Sequence, residues 1–396
     1  MDNRHILGID VGTMNTKVFI GAMGENRNIL VAGNGTMPTA GFVKGAITDV
    51  EALAMSISQA VECAIMATNI SVKDAYIGIG GTDIHFISST GSIAPLSTAA
   101  VTYEDIERVY QAAIVASVSD DYEVLHILPK SFLVDKQRQV DIPLHQKCAQ
   151  LEVEVQIVTM LKATLNRLIQ AVENVGIHVL GVVANSMITT QVLSSIEEKT
   201  SLFMDIGAGT TDLVLYRGMQ LDLAVSLPLG GDYITSDIMK GLGISSNHAE
   251  EIKKYYAKLG KNLRGQNIML DCNDYGTTDK EISYDFLYDI VESRIEEIVY
   301  LIHDYLKSST MEHNIEKIFI TGGCGAMPSF SDSIEKLFGI PVGVVIPKEL
   351  QPEYASPMNT ACYGVLTYAV NHLPDIQVND GIWHSLLCKF KQIMNR

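Results

Sequence analysis

Within eight positions the chain gathers Asp205, Gly207, Gly209, Thr210, Thr211 and Asp212. Two glycines let a backbone approach a ligand closely and aim successive N–H groups at it, which suits a phosphate. Asp205 is placed to hold a hydrated Mg²⁺, an ion that keeps several waters and takes one or two carboxylates. Apolar runs flank the cluster on both sides, and such runs bounded by turn signals read as buried strands. Residues 201–218 are therefore predicted to form a β-hairpin with a glycine turn at its tip. A plain hairpin with an acidic turn is the alternative.

The N-terminus carries a relative of this hairpin at residues 5–22. Asp10-x-Gly12-x-x-x-Thr16-x-Val18 aligns with Asp205-x-Gly207-x-x-x-Thr211-x-Leu213, an offset of 195 residues. A repeat so widely spaced predicts two similar halves facing one cleft. Lys17 stands where Asp212 stands, so one hairpin offers a cation and the other anions. Such a cleft suits a nucleoside triphosphate with Mg²⁺.

A second glycine cluster, Gly322-Gly323-Cys324-Gly325, lies between a predicted strand and a predicted helix. It matches neither a P-loop nor G-x-G-x-x-G. Close approach of a flat group such as adenine with its ribose would explain it, as would a tight strand-to-helix turn. Glu250 and Lys253 share a face of a helix predicted over 246–258. A carboxylate there can accept from ribose hydroxyls, and a lysine stem can cover a ring; a solvated ion pair is the alternative.

Several elements must position these residues. Helices are predicted over 49–69, 162–175, 185–193, 234–241, 285–308, 330–338 and 360–370, with Asp232 or Ser236 as a cap for 234–241. Short strands are predicted at 75–80, 179–183, 317–321 and 342–346, and a small sheet at 268–272 with 281–283. Residues 89–162 change character: short strands at 122–127 and 152–159, a helix at 103–117, a loop at 137–150 and no glycine loop. They read as an inserted αβ subdomain suited to contact rather than chemistry.

The 396 residues suffice for two sizeable cores. A net charge of −17 argues against an extended nucleic-acid surface. Six scattered cysteines without a C-x-x-C pair fit thiols in a reducing compartment. No signal peptide and no run of about 18 apolar residues is read from the sequence, which predicts a chain on the cytoplasmic side.

Taken in order, GIDVGTMNTK, DIGAGTTDLVL and TGGCGAMPSF resemble the two phosphate loops and the adenosine loop of the actin-like ATPase superfamily. GFVKGAITDVEAL, YEVLHILPKSFLVD, LPLGGDYITSDIMKGLGISSNHAEEIK and the C-terminal segment are similar to the FtsA family of bacterial cell-division proteins. The resemblance implies an α/β, actin-like (ribonuclease H-like) fold of two halves around a nucleotide cleft. One half would comprise 1–84 and 163–198, with an insertion at 85–162. The other would comprise 199–235 and 315–370, with a peripheral subdomain at 236–314. A linker at 371–381 and an amphipathic helix at 382–396 would follow.

It also implies roles. Gly12, Thr13 and Lys17 would contact phosphates from one side, and Gly207, Gly209, Thr210 and Thr211 from the other. Asp205 would hold Mg²⁺ through water, with Asp10 beside it. Glu250 and Lys253 would meet ribose and adenine, and Gly322, Gly323 and Cys324 would back the base. Hydrolysing relatives often place a glutamate or glutamine to orient the attacking water. Here only Asn185 stands near that position, so ATP turnover is expected to be slow or negligible.

The family resemblance further implies an adaptor that polymerises, ties FtsZ filaments to the membrane and recruits later divisome proteins through the insertion. Arg294 is expected to pair with a carboxylate of the FtsZ tail, with Lys307 near the same helix's end; an intrahelical pair with Glu297 is the alternative. Ile382, Trp383, Leu386, Leu387, Phe390 and Ile393 share one helical face with Lys389 and Lys391 among them. A basic amphipathic helix of this kind lies in an anionic membrane interface, or else packs on the body. The short linker keeps the body close to whatever the tail binds. A pilus-assembly scaffold similar to PilM is the alternative family. A small-molecule kinase would need a catalytic aspartate aimed at a substrate hydroxyl, and no distinct candidate is found.

Overall fold

Every residue of β1 (Ile6–Val11) is buried, as expected for a central strand covered on both faces. The structure is a computed structural model. It describes residues 5–372 apart from 25–28, 97–99, 137, 141–142, 192–198, 219, 260–262, 272–280 and 310–314. The expected amphipathic segment at 382–396, and all but the first two residues of the linker, lie outside the described residues.

From β1 the chain turns back through β2 (Asn15–Met23) and β3 (Ile29–Pro38), then a short ribbon, β4 (Phe42–Val43) and β5 (Ala46–Ile47). Helix α1 (Val50–Thr68) is capped by Asp49, whose carboxylate accepts from the N–H groups of Glu51 and Ala52. β6 (Asp74–Ile79) returns parallel to β1. The next four strands are β7 (Ile84–Ile93), β8 (Tyr122–Val134), β9 (Arg138–Val140) and β10 (Leu151–Leu161). They form a separate antiparallel sheet, ordered β7-β10-β8-β9, against which α2 (Tyr103–Ser117) packs. Helix α3 (Lys162–Glu173) and β11 (His178–Ala184) complete the first sheet, β11-β6-β1-β2-β3, and α4 (Asn185–Gln191) follows.

The second half repeats the plan. β12 (Thr200–Ile206), β13 (Thr211–Arg217) and β14 (Gln220–Leu227) form a meander. Then come α5 (Asp232–Leu242), α6 (Ser246–Leu259), β15 (Met269–Asp271), β16 (Glu281–Ser283) and the long α7 (Tyr284–Ser308). β17 (Lys317–Thr321), α8 (Gly322–Gly325), α9 (Pro328–Phe338) and β18 (Val342–Val344) close the sheet β14-β13-β12-β17-β18. Both five-stranded sheets have the same strand order and the same parallel and antiparallel pairings. The repeat read from two short motifs extends to whole sheets.

Three local expectations need correction. Neither Asp232 nor Ser236 caps α5: the helix starts at Asp232, and Gly231 is the cap, without a side-chain hydrogen bond. β8 and β10 are longer than expected because register shifts at Glu154/Val155 and Val158/Thr159 break the period-two pattern from which strands are read. Helix α1 is, by length and a mean hydropathy of 1.4, apolar enough to cross a bilayer. Its Leu53, Ile57, Ala60 and Ala64 are instead buried in the core of the first half.

Helix α10 (Thr360–Asn371) returns the chain from the second sheet to the first. Its Cys362, Tyr363, Leu366 and Ala369 are fully buried among Ile6, Phe19 and their neighbours. A Cβ on Gly8 would lie 2.8 Å from the backbone nitrogen of Leu366, so helix and strand touch almost backbone to backbone. Leu366→Ala should lower stability by about 2–5 kcal/mol. Denaturant unfolding will read this as a shifted midpoint at constant slope; an unmoved midpoint would remove α10 from the supporting framework.

Candidate functional site

The tips of the β1–β2 and β12–β13 hairpins face one another across a cavity of about 510 Å³. Register explains how they are aimed. Asp10 lies opposite Lys17 in the first hairpin, and Asp205 opposite Asp212 in the second. These are equivalent positions in the two sheets, so the Lys17-for-Asp212 exchange falls across the cleft. Each turn is closed by one backbone bond, from Gly12 to the Asn15 carbonyl at 3.2 Å and from Gly207 to the Thr210 carbonyl at 2.9 Å. The turns nearly meet: a Cβ on Gly209 would sit 2.6 Å from Thr13 Oγ1.

The cavity is lined by Asp10, Gly12, Thr13, Lys17, Asn185, Asp205, Gly207, Gly209, Thr210, Asp212, Glu250, Lys253, Gly322, Gly323 and Cys324. Thr211 is the exception among the expected phosphate contacts. Its side chain is fully buried and donates to the Leu229 carbonyl at 2.7 Å. Its twin Thr16 is buried too, with its hydroxyl 2.9 Å from that of Thr39. Both threonines brace their hairpins from behind. Residues five and six positions past a strand-end aspartate alternate faces, so only Thr210 and its backbone remain on the cavity side.

Three carboxylates meet at the floor. Burial pushes the Asp205 carboxyl up to about 7, with Asp212 and Asp10 adding repulsion. Burial likewise lifts Asp212 to about 6, with Asp10 adding repulsion. Asp10 is raised by burial, opposed by Lys17 and by Asn185. Lys17 itself is turned to the Met358 carbonyl. Among the described residues no three acidic, histidine or cysteine side chains converge to chelate an ion directly. The donor set fits an ion held through its water shell, as Mg²⁺ prefers.

Asn185 Nδ2 donates to Asp10 Oδ1 at 2.8 Å. The amide nitrogen is thus committed to Asp10, while the amide oxygen is a buried acceptor left without a partner among the described residues. Glu250 and Lys253 form a buried pair at 2.6 Å rather than a solvated one. Thr235, on α5, donates to Glu250 Oε2 at 2.7 Å and accepts from Lys253 at 2.8 Å, and Lys253 also reaches the Gly231 carbonyl at 3.2 Å. The lysine ammonium is thus engaged within the protein, while Glu250 Oε1 has the looser contact, 3.7 Å to Lys254. Thr235 is not apparent from the sequence because its contacts join α5 to α6. Ala257, which also lines the cavity, lies one turn beyond Lys253 and is legible from helical spacing.

The glycines of α8 divide by role. Gly322 has φ +87°, and a Cβ there would meet Asp205 Oδ1 at 2.3 Å, so its own backbone and the carboxylate already require glycine. Gly323 has open space in front of it. The Cys324 thiol is buried and pushed up to about 11 by that burial, which makes it lining rather than nucleophile.

On α7, Arg294 is paired twice, through Nε to Asp237 at 2.5 Å and through a terminal nitrogen to Glu297 at 2.6 Å. The intrahelical alternative is therefore formed, together with a tie to α5. The Asp237 hydrogen bond raises the guanidinium further above its ordinary range. Lys307 is exposed and lies thirteen residues on, about 20 Å along the helix.

Comparison with known proteins follows this geometry. The family model described as Cell division protein FtsA matches residues 202–364, and that described as SHS2 domain inserted in FTSA matches residues 81–159. Cell division protein FtsA of Pseudomonas aeruginosa is 29% identical over 93% of this chain and 90% of its own length. That of Bacillus subtilis is 28% identical over 89% and 82%. Among solved structures, a PilM-PilN type IV pilus biogenesis complex superposes with a TM-score of 0.69 at 16% identity, covering 93% of this chain and 99% of the other. The fold is actin-like, with the inserted subdomain between its first-half strands.

The raised carboxyls have a measurable consequence. Between the ordinary carboxylate value of about 4 and about 7, the folded chain retains a proton that the unfolded chain has released. Burial of Asp205 therefore lowers stability as pH rises through that window. Without metal or nucleotide, Asp205→Asn should melt higher than the parent chain by about 2 °C or more at pH 8. The gap should shrink toward pH 4; a gap that does not vary with pH contradicts the assignment.

Proposed function

Because the chain belongs to the FtsA family of cell division proteins, we propose that it is an ATP-binding, polymerising adaptor that tethers FtsZ filaments to the inner face of the cell membrane at the division site. The observation that supports this most is the joint match of two FtsA models, one to the second half and one to the insertion, around a cleft lined by both glycine hairpins. Gly12, Thr13 and Lys17 would hold phosphates from one side, and Gly207, Gly209 and Thr210 from the other. Asp205, with Asp10 and Asp212 beside it, would hold Mg²⁺ through water. The ion supplies charge that three buried carboxylates and a polyphosphate need. Glu250 Oε1 would accept from the sugar, and Gly323 and Cys324 would back the base.

The amide nitrogen of Asn185 is committed to Asp10, and no glutamate or glutamine stands at that position to orient a water. ATP then acts chiefly as a ligand that joins the halves for assembly, with slow or negligible turnover. Residues 1–84 with 163–198 and 199–235 with 315–370 would be the two halves, and 236–314 the peripheral subdomain that meets FtsZ. An acidic FtsZ tail lying along α7 would take Arg294 from Glu297 or Asp237 and reach Lys307 at its other end. The insertion, 85–162, would meet later divisome proteins. The segment 382–396 would lie in an anionic membrane surface, weakly singly and firmly when filaments multiply it. The likeness to PilM is one of fold.

Two measurements test this. Deleting 382–396 should abolish co-sedimentation with vesicles rich in anionic lipid; binding that survives the deletion excludes the tail as the tether. Arg294→Glu should weaken an FtsZ tail peptide by about tenfold or more; unchanged affinity would move the partner elsewhere, and preference for a pilus-protein N-terminal peptide would favour a PilM-like role.

A further inference from the structure

Lys44 sits in the 41–45 loop of the first half with φ +51°, a backbone conformation uncommon outside glycine. Its ammonium donates to the Tyr233 hydroxyl at 3.1 Å and stands 4.5 Å from the centre of that ring. Tyr233 belongs to α5, in the second half, so this contact joins the two halves beside the cavity that Phe42 and Gly209 line. The loop beneath is equally close: a Cβ on Gly209 would lie 3.2 Å from Lys44 Cα.

The same ring has a second cation. The Arg294 guanidinium lies 5.8 Å from its centre and is anchored to Asp237, one turn further along α5. Between Tyr233 and Asp237 stands Thr235, which holds both Glu250 and Lys253 at the cavity wall. One short helix thus touches the first half, the cavity and α7 through three consecutive odd-numbered residues.

We propose that Lys44 and Tyr233 are positioning residues that hold the two halves closed beside the cavity, and that Arg294 makes this closure responsive to an acidic partner on α7. The proposal rests on the nucleotide reading for what the cavity retains. Two cations on one aromatic ring repel each other and compete for its negative face. A carboxylate from a partner that draws Arg294 away relieves that competition, and Lys44 then holds Tyr233 more firmly. Partner binding should slow nucleotide release, and by reciprocity bound nucleotide should strengthen partner binding.

Stopped-flow release of a fluorescent ATP analogue with Mg²⁺ tests the first part. Lys44→Met and Tyr233→Leu should release about tenfold faster than the parent chain. Lys44→Arg should restore slow release, and Tyr233→Phe, which keeps the ring and loses the hydroxyl, should fall between. Parent-like release in Lys44→Met and Tyr233→Leu overturns the closure. A saturating FtsZ tail peptide should slow release from the parent chain and leave Tyr233→Leu unchanged; no slowing, or equal slowing in both, overturns the coupling. If the parent chain takes up no nucleotide, the reading of the cavity fails. Hydrogen exchange then still reads the contact itself: amides of 41–48 and 230–236 should exchange faster in Lys44→Met than in Lys44→Arg, and equal exchange overturns it.

Discussion

Three carboxylates, Asp10, Asp205 and Asp212, share the buried floor of one cleft, and much of the molecule follows from that constraint. Like charges removed from water raise one another's pKa and oppose full ionisation. Here burial lifts all three. The only cation opposite them in register is Lys17, and it is drawn toward the Met358 carbonyl. Bound protons or added positive charge would relieve that repulsion, and the glycine turns line the same cavity.

The supporting structure can be understood as keeping that floor rigid. Thr16 and Thr211 brace the hairpins from behind, Gly322 lets β17 pass against the Asp205 carboxylate, and Thr321 Oγ1 bonds Thr360 at 2.8 Å to seat α10. The second half adds a path outward. Helix α6 presents Glu250 and Lys253 to the cavity and, one turn later, Tyr256, whose hydroxyl donates to the buried Glu292 of α7 at 2.8 Å. Glu292 stands two residues from Arg294, so the cavity wall and the outer face of α7 share one buried frame. A buried carboxylate with such a partner is costly to leave unpaired, which ties the two helices together.

Much of this was legible in the sequence, for identifiable reasons. Asp-x-Gly-x-x-x-Thr repeated at 195 residues predicts two equivalent hairpins because strand ends and glycine turns have fixed chemistry. The equivalence of the sheets then follows from connectivity. What was not legible is long-range or local in a way periodicity cannot carry. Thr211 faces inward because its strand begins there. Lys44 meets Tyr233 across 189 residues, and Thr235 joins two helices. Gly322 is demanded by its positive φ and by the Asp205 carboxylate beside it, a contact no local spacing shows. Arg294 was legible as a basic position on α7, but its double pairing with Asp237 and Glu297 emerges only when α5 packs beside it.

Calorimetric titration of ATP into the 396-residue chain, with and without Mg²⁺, tests the central claim most directly. The account predicts that Mg²⁺ strengthens ATP binding by about tenfold or more in the parent chain, and that Asp205→Asn loses this gain while still binding ATP. ATP that binds equally well with and without Mg²⁺, or not at all, would contradict it.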